Sequence, residues 1–194
     1  MSTKKSPKTI HIALSGGKTP IPFYKDLAKS KNTDFSKIEF YIVDERYVSL
    51  KNAKSNFKMI NSTLISKIKC RKFHYFDTSL PIEKAIKAYE KEVGKVRFDM
   101  AVLGIGDDGH FASIFPKSKA ITSKKSVEHT QTKKFEVKDR LTLTAKKILQ
   151  SKQILVLLKN KPSVLKELVN KTKTIQEFPA HILKKHKNLE ILSI

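Results

Sequence analysis

The sequence predicts an α/β fold, a mostly parallel sheet with helices on both faces, and three observations predict it. Apolar residues arrive in short compact runs, of which Ile10-His11-Ile12-Ala13-Leu14 and Ile154-Leu155-Val156-Leu157-Leu158 are the clearest. Strands buried on both faces need such runs. The runs alternate with segments that can be helical, the pattern of successive βαβ units. The chain has 194 residues, enough for one domain that buries roughly 70% of its unfolded surface. No repeat or low-complexity linker divides it, so residues 1–194 are read as a single domain.

Strands are expected at 8–14, 38–43, 72–76, 98–103, 153–158 and 189–194, and helices at 20–31, 55–68, 81–94 and 161–171. Pro20 and Pro22 follow Thr19 where the first helix would begin. Proline is tolerated there because first-turn N–H groups have no intrahelical partner. In 81–94 the residues Ile82, Ala85, Ile86, Tyr89 and Val93 recur at three- and four-residue spacing, and Gly94 is a stop signal. Segment 117–139 is polar and lysine-rich, with weak strand candidates at 126–130 and 134–137. It reads as an excursion beside the site.

The formal charge is +22, from 40 basic and 18 acidic residues. Only Arg46, Arg71, Arg97 and Arg140 are arginine; the excess is lysine, scattered from Lys4 to Lys187. Sequence readout and tight phosphate recognition favour arginine's planar fork, so no specific nucleic-acid partner is expected. A positive field still raises the encounter rate of a small anionic substrate. No apolar stretch approaches the ~18 residues that cross a bilayer, and the start Met1 to Lys8 leads into a run too short for a signal-peptide core. A cytoplasmic protein with no membrane partner is expected. Cys70 is the single cysteine and has no disulfide partner in the chain.

Three segments carry chemistry. The first, Ala13-Leu14-Ser15-Gly16-Gly17-Lys18-Thr19-Pro20, is a strand, a glycine turn and a helix start. Such a junction presents bare backbone N–H groups to an anion; the alternative is a tight turn without a ligand. It is not a P-loop, because that motif needs glycine five residues before Gly17 and Ile12 stands there. In the second, Ile42-Val43-Asp44-Glu45-Arg46, charges follow a buried strand, where open α/β sheets place ligands; a solvated loop with a local ion pair reads equally well. Ser55-Asn56-Phe57 has the composition of a helix cap.

The third runs from Phe98 through Gly104-Ile105-Gly106-Asp107-Asp108-Gly109-His110 to Pro116. Gly104, Gly106 and Gly109 satisfy the dinucleotide fingerprint. Asp107 and Asp108 would oppose a pyrophosphate, however, and Pro116 would interrupt the helix over it. What remains is a flexible turn presenting His110 with Asp108 two residues earlier; a lone histidine is more often structural, but one at a strand end with a carboxylate close by has the makings of an oriented base. The other histidines show no metal-ligand spacing, and Ser113, flanked by Phe111 and Phe115, is no nucleophile elbow. Neither a metal nor an acyl-serine is expected.

Taken in order, Ser15 to Pro20, Asp44-Glu45-Arg46, Ser55-Asn56, Leu103 to Pro116, then Arg140-Leu141-Thr142-Leu143-Thr144 and Lys161, these segments resemble the 6-phosphogluconolactonase family, within the wider group that includes glucosamine-6-phosphate deaminases. The likeness spans roughly 10–183. Arg46, where deaminases commonly carry tyrosine, and Ile114-Phe115-Pro116, where they carry asparagine-glutamate-proline, favour the lactonase branch. Phe111 departs from the small hydroxyl residue usual after the histidine, and Lys159-Asn160 from a region where glycine is usual.

The resemblance implies a Rossmann-like sheet and hydrolysis of a small phosphorylated sugar lactone in the pentose phosphate pathway, without cofactor or metal. It implies that His110 activates water, that Asp108 orients the imidazole, and that Asp44 is a site carboxylate. Gly16, Gly17, Lys18 and Thr19 would hold the phosphate with Lys161, Arg46 and Arg140. The rival readings are a deaminase-like isomerase and an inactive, basic, nucleic-acid-binding homologue. Oligomeric state is left open.

Overall fold

The computed structural model of the protein describes residues 9–194; the lysine-containing start and the first residue of the expected strand 8–14 lie outside the described residues. Strands β1 (Ile10–Leu14), β2 (Ile38–Ile42), β3 (Asp44–Arg46), β4 (Lys72–His74), β5 (Met100–Gly104), β6 (Val127–Gln131), β7 (Asp139–Leu143), β8 (Gln153–Leu158) and β9 (Leu189–Ser193) divide between two sheets. Six pair in parallel in the order β4-β2-β1-β5-β8-β9. The other three form an antiparallel sheet, β3-β7-β6.

Within the parallel sheet the chain lays its first three strands outward in one direction and its last three in the other. This is the Rossmann-like order, which reverses between β1 and β5. Crossovers between parallel strands are right-handed, so reversing the direction moves the helices to the opposite face. Helices α1 (Ile21–Leu27) and α2 (Asn56–Thr63) pack together on one face. On the other, α3 (Ile82–Val93) meets β6, α4 (Ala145–Leu149) leads into β8, and α5 (Pro162–Asn170) connects β8 to β9. Phe40, Ile42, Val102, Leu103 and Val156 are buried between the layers. Among the described residues no helix is long and apolar enough to cross a membrane.

Several expected boundaries shift. The helix expected over 55–68 ends at Thr63, where the hydroxyls of Ser62 and Thr63 donate to the Met59 carbonyl, and one 3-10 turn follows. The strand candidate 126–130 is β6, but 134–137 is a bent loop, and the strand lies further on as β7. Alternating Phe135 and Val137 suggests a strand, yet the buried apolar residues that pin this hairpin to the core are Leu141 and Leu143. The three-residue β3 and the five-residue α4 are too short to leave a periodic signal.

Candidate active site

Ligands in open α/β sheets bind beyond the carboxyl ends of the strands, where the order reverses. Here that point separates β1 from β5, and the three chemical segments leave the sheet at this end: the turn after β1, β3 just after β2, and the loop after β5. They enclose a cleft of about 340 Å3. Gly16, Gly17, Lys18, Thr19, Asp44, Arg46, His110 and Lys161 all line it. The turn after β1 is anchored from below by Tyr24 of α1, whose hydroxyl donates to the Ser15 carbonyl at 2.8 Å.

His110 sits on a tight loop closed by Gly106 N–H donating to the His110 carbonyl at 2.8 Å and Gly109 N–H donating to the Gly106 carbonyl at 2.9 Å. Two glycines are required here. A Cβ on Gly106 would lie 2.1 Å from the His110 ring, and Gly109 combines φ of +77° with the Phe178 ring 2.4 Å from where its Cβ would be. Ala180 N–H donates to the Gly109 carbonyl at 2.9 Å, so the loop leans on the 3-10 segment Pro179–Lys185.

The imidazole Nδ1 is hydrogen-bonded to Asp108 Oδ1, which also accepts the His110 backbone N–H at 3.2 Å. A carboxylate at Nδ1 selects the tautomer with its proton there, which leaves Nε2 as an acceptor. Phe115 and Phe135 flank the ring at centroid distances of 5.1 and 5.8 Å. Burial pushes the Asp108 carboxyl up, but hydrogen bonds and positive charge from His110 and Lys134 outweigh it. The carboxyl is held well below the usual range. Asp108 does not itself line the cleft; it acts through His110.

Adjacent acids in β3 have different surroundings. Glu45 is fully buried and accepts from the backbone N–H groups of Arg46, Asn56 and Phe57 at 2.7–2.8 Å and from Ser55 Oγ at 2.9 Å, fixing the start of α2. Burial pushes its carboxyl up, and these four donors offset only part of that. Asp44 faces the cleft, held by Ser113 Oγ at 2.6 Å and Asn56 Nδ2 at 3.2 Å.

Lys161 reaches the cleft from the end of β8. Its Nζ donates to the Ile105 carbonyl at 2.7 Å and pairs with Asp107 at 3.2 Å. Asn160 before it adopts φ of 49°, which explains why glycine is usual in that region; asparagine is one of the few other residues that tolerate the left-handed conformation. Arg46 donates to the Lys54 carbonyl at 2.8 Å. Arg140 is not in the cleft lining. It is buried behind it, donating from Nε to the Val137 carbonyl at 3.0 Å and lying 5.5 Å from the Phe135 ring centre. Burial lowers its pKa.

The structure adds Asn56, Lys134 and Phe135 to the lining. Asn56 stands in the Ser55-Asn56-Phe57 segment, which composition marks as a cap and the resemblance includes without assigning it a role. Lys134 and Phe135 lay in the stretch expected as a strand, and nothing local in the sequence marks them. No group of three or more His, Cys, Asp or Glu suited to a metal ion occurs among the described residues.

The family model described as glucosamine-6-phosphate isomerases/6-phosphogluconolactonase matches residues 2–191. The 6-phosphogluconolactonase of Thermotoga maritima is 41% identical over 159 residues, covering 80% of this chain and 71% of the relative. That of Borreliella burgdorferi is 33% identical over 201 residues, covering 96% and 84%. The crystal structure of the Thermotoga maritima 6-phosphogluconolactonase superposes with a TM-score of 0.86 at 36% identity, over 97% of this chain and 87% of that one.

Proposed function

This chain belongs to the glucosamine-6-phosphate isomerase/6-phosphogluconolactonase family, and we propose that it hydrolyses 6-phospho-D-glucono-1,5-lactone to 6-phosphogluconate. The observation that carries the reading is His110, oriented through Nδ1 by Asp108, lining one cleft with the glycine turn after β1.

In the reaction, His110 Nε2 takes a proton from water as the water oxygen bonds to the lactone carbonyl carbon and the carbonyl electron pair moves onto oxygen. The tetrahedral species collapses, re-forming the carbonyl and breaking the ring C–O bond. The departing ring oxygen takes the proton from the imidazolium. Asp108 holds the ring and stabilises its cationic form. The Gly16, Gly17, Lys18 and Thr19 backbone takes the phosphate, with Lys161 exchanging Asp107 for it and Arg46 beside it. Arg140 contributes from behind Phe135, through charge rather than contact. Asp44, fixed by Ser113 and Asn56, accepts a hydrogen bond from a sugar hydroxyl. The reaction needs no cofactor. The chain acts as one cytoplasmic domain, without a specific nucleic-acid partner.

The deaminase reaction is disfavoured by Ile114-Phe115-Pro116, which leaves no carboxylate just after His110. The test is a lactonase assay with freshly generated substrate, corrected for spontaneous hydrolysis and paired with unphosphorylated gluconolactone. The phosphorylated lactone is expected to react far more efficiently, because binding energy at the phosphate positions the reacting carbon. Equal efficiency on both lactones would remove the phosphate site from the reading; no acceleration of either would remove the function.

A further inference from the structure

The loop over residues 132–138, between β6 and β7, brings one side chain to the His110 ring and another to Asp108 from a part of the chain with no other role in the site. Thr132 N–H donates to the Lys138 carbonyl at 3.1 Å and closes the base of the loop, while Lys134 N–H donates to Thr132 Oγ1 at 3.1 Å. At the far side Glu136 pairs with Lys54, just before α2. Held at both ends, the loop places Lys134 Nζ 3.0 Å from Asp108 Oδ2 and the Phe135 ring edge-on to the imidazole.

The two oxygens of Asp108 are thus divided: Oδ1 serves His110 and Oδ2 serves Lys134. A carboxylate held at one oxygen only can still rotate; held at both, its plane is fixed, and with it the imidazole that depends on it. The ammonium also offsets part of the carboxylate charge that faces the imidazole through Oδ1. We propose that Lys134 is a positioning residue that sets both the orientation and the basicity of His110 through Asp108, with Phe135 as the wall of the same device. The catalytic consequence rests on the lactonase reading; the electrostatic one does not.

The other charged groups around the ring are Asp107 paired with Lys161, Asp44 and Arg46 of β3, Lys18 after β1, and Arg140 behind Phe135. None changes in the variants used as the test. In Lys134→Met the imidazolium gains the full Asp108 charge, so the His110 titration midpoint, followed by NMR of the ring, should rise. In Lys134→Arg it should return toward the wild-type value. The acid limb of kcat/KM should move with it, kcat falling several-fold and KM little. In an Asp108→Asn background, Lys134→Met should add almost nothing.

A midpoint that stays fixed in folded Lys134→Met would overturn the proposal. So would a rise in KM with an unmoved acid limb, because it would make Lys134 a substrate contact. If the wild type does not accelerate lactone hydrolysis, the NMR midpoint still decides the electrostatic coupling, and the failure belongs to the assigned reaction.

Discussion

The two ends of the parallel sheet both carry positive charge, and they use it differently. At the amino ends of β5, β8 and β9 lies a groove of about 600 Å3, larger than the cleft at the opposite end, lined by Lys95, Arg97, Lys147, Lys152, Lys185 and Lys187 with no acid among its lining residues. Two of these six cations turn to backbone carbonyls, and Lys152 pairs with Asp99 at 2.5 Å. Lys147 Nζ donates to the Gly94 and Val96 carbonyls at 3.3 and 2.6 Å, at the end of α3, and Arg97 Nε donates to the Gln150 carbonyl at 3.1 Å, at the end of α4. Basic side chains at helix C-termini satisfy orphan carbonyls and complement the dipole. In the cleft two lysines are matched with acids, Lys161 with Asp107 and Lys134 with Asp108, and Asp108 also holds an imidazole with a nitrogen left over. Size and charge favour the groove as a binding site; the geometry of unspent polar groups favours the cleft.

The contrast breaks most sharply at His110. Replacing it by Ala should lower the lactonase rate by roughly 10²–10⁴-fold, the usual contribution of a positioned base, while circular dichroism shows an intact fold. Near-normal turnover would leave the cleft no better supported than the groove. Asp108→Asn acts on the same step, so the double variant should lose less than the product of the single losses. Its effect on stability has a sign in pH. A carboxyl held below its unfolded value of about 3.9 contributes stability that is present above that pH and lost as pH falls through the folded value. The Tm difference between wild type and Asp108→Asn should therefore be present above about pH 4 and shrink as pH falls below it.

A medium effect of another kind is expected at the groove. Lys147 is 2% exposed, and Lys147→Met leaves the Gly94 and Val96 carbonyls without their donor. That should cost about 1–3 kcal/mol of stability in urea unfolding, with kcat/KM of the folded protein preserved. A loss of activity without a loss of stability would mean that the groove communicates with the cleft. The smallest effect is expected from replacing Lys95, Lys185 and Lys187 together by Gln. Turnover and Tm should hold, and only salt-sensitive retention on an immobilised polyanion should weaken. Retention that survives physiological salt in the wild type would give the groove a ligand.

Much of this contrast was legible in the sequence, and the illegible part has a physical cause. Apolar runs gave the six parallel strands because a strand buried on both faces leaves a dense local signal. Ser15-Gly16-Gly17 and Gly104 to His110 were legible because glycine turns must be local. The groove was not: its lysines sit before three different strands, and sequence order scatters what the sheet gathers. The same applies to Lys134, which meets Asp108 across 26 residues of chain. The strand expected at 134–137 failed because two alternating apolar residues do not say whether their partner is a core or an imidazole. Arg140 was expected at the phosphate by its place in a motif, but its guanidinium is buried behind Phe135, which no motif encodes.

The Phe178 ring against Gly109 has a consequence for how the molecule is made. The loop bearing His110 is complete in sequence once residue 110 has been synthesised, yet the ring that fills the space beside Gly109 and the N–H that binds its carbonyl belong to residues 178 and 180. Lys117 N–H likewise donates to the Gln176 carbonyl at 2.8 Å. On the ribosome, β1, β2 and β5 can pair before these residues emerge, so the sheet can precede its own active loop. A nascent chain arrested after α5 would hold every residue that lines the cleft while lacking the prop that fixes its histidine. The catalytic loop is thereby tied to synthesis through residue 180, and a chain that stops before it would lack the prop of its own histidine.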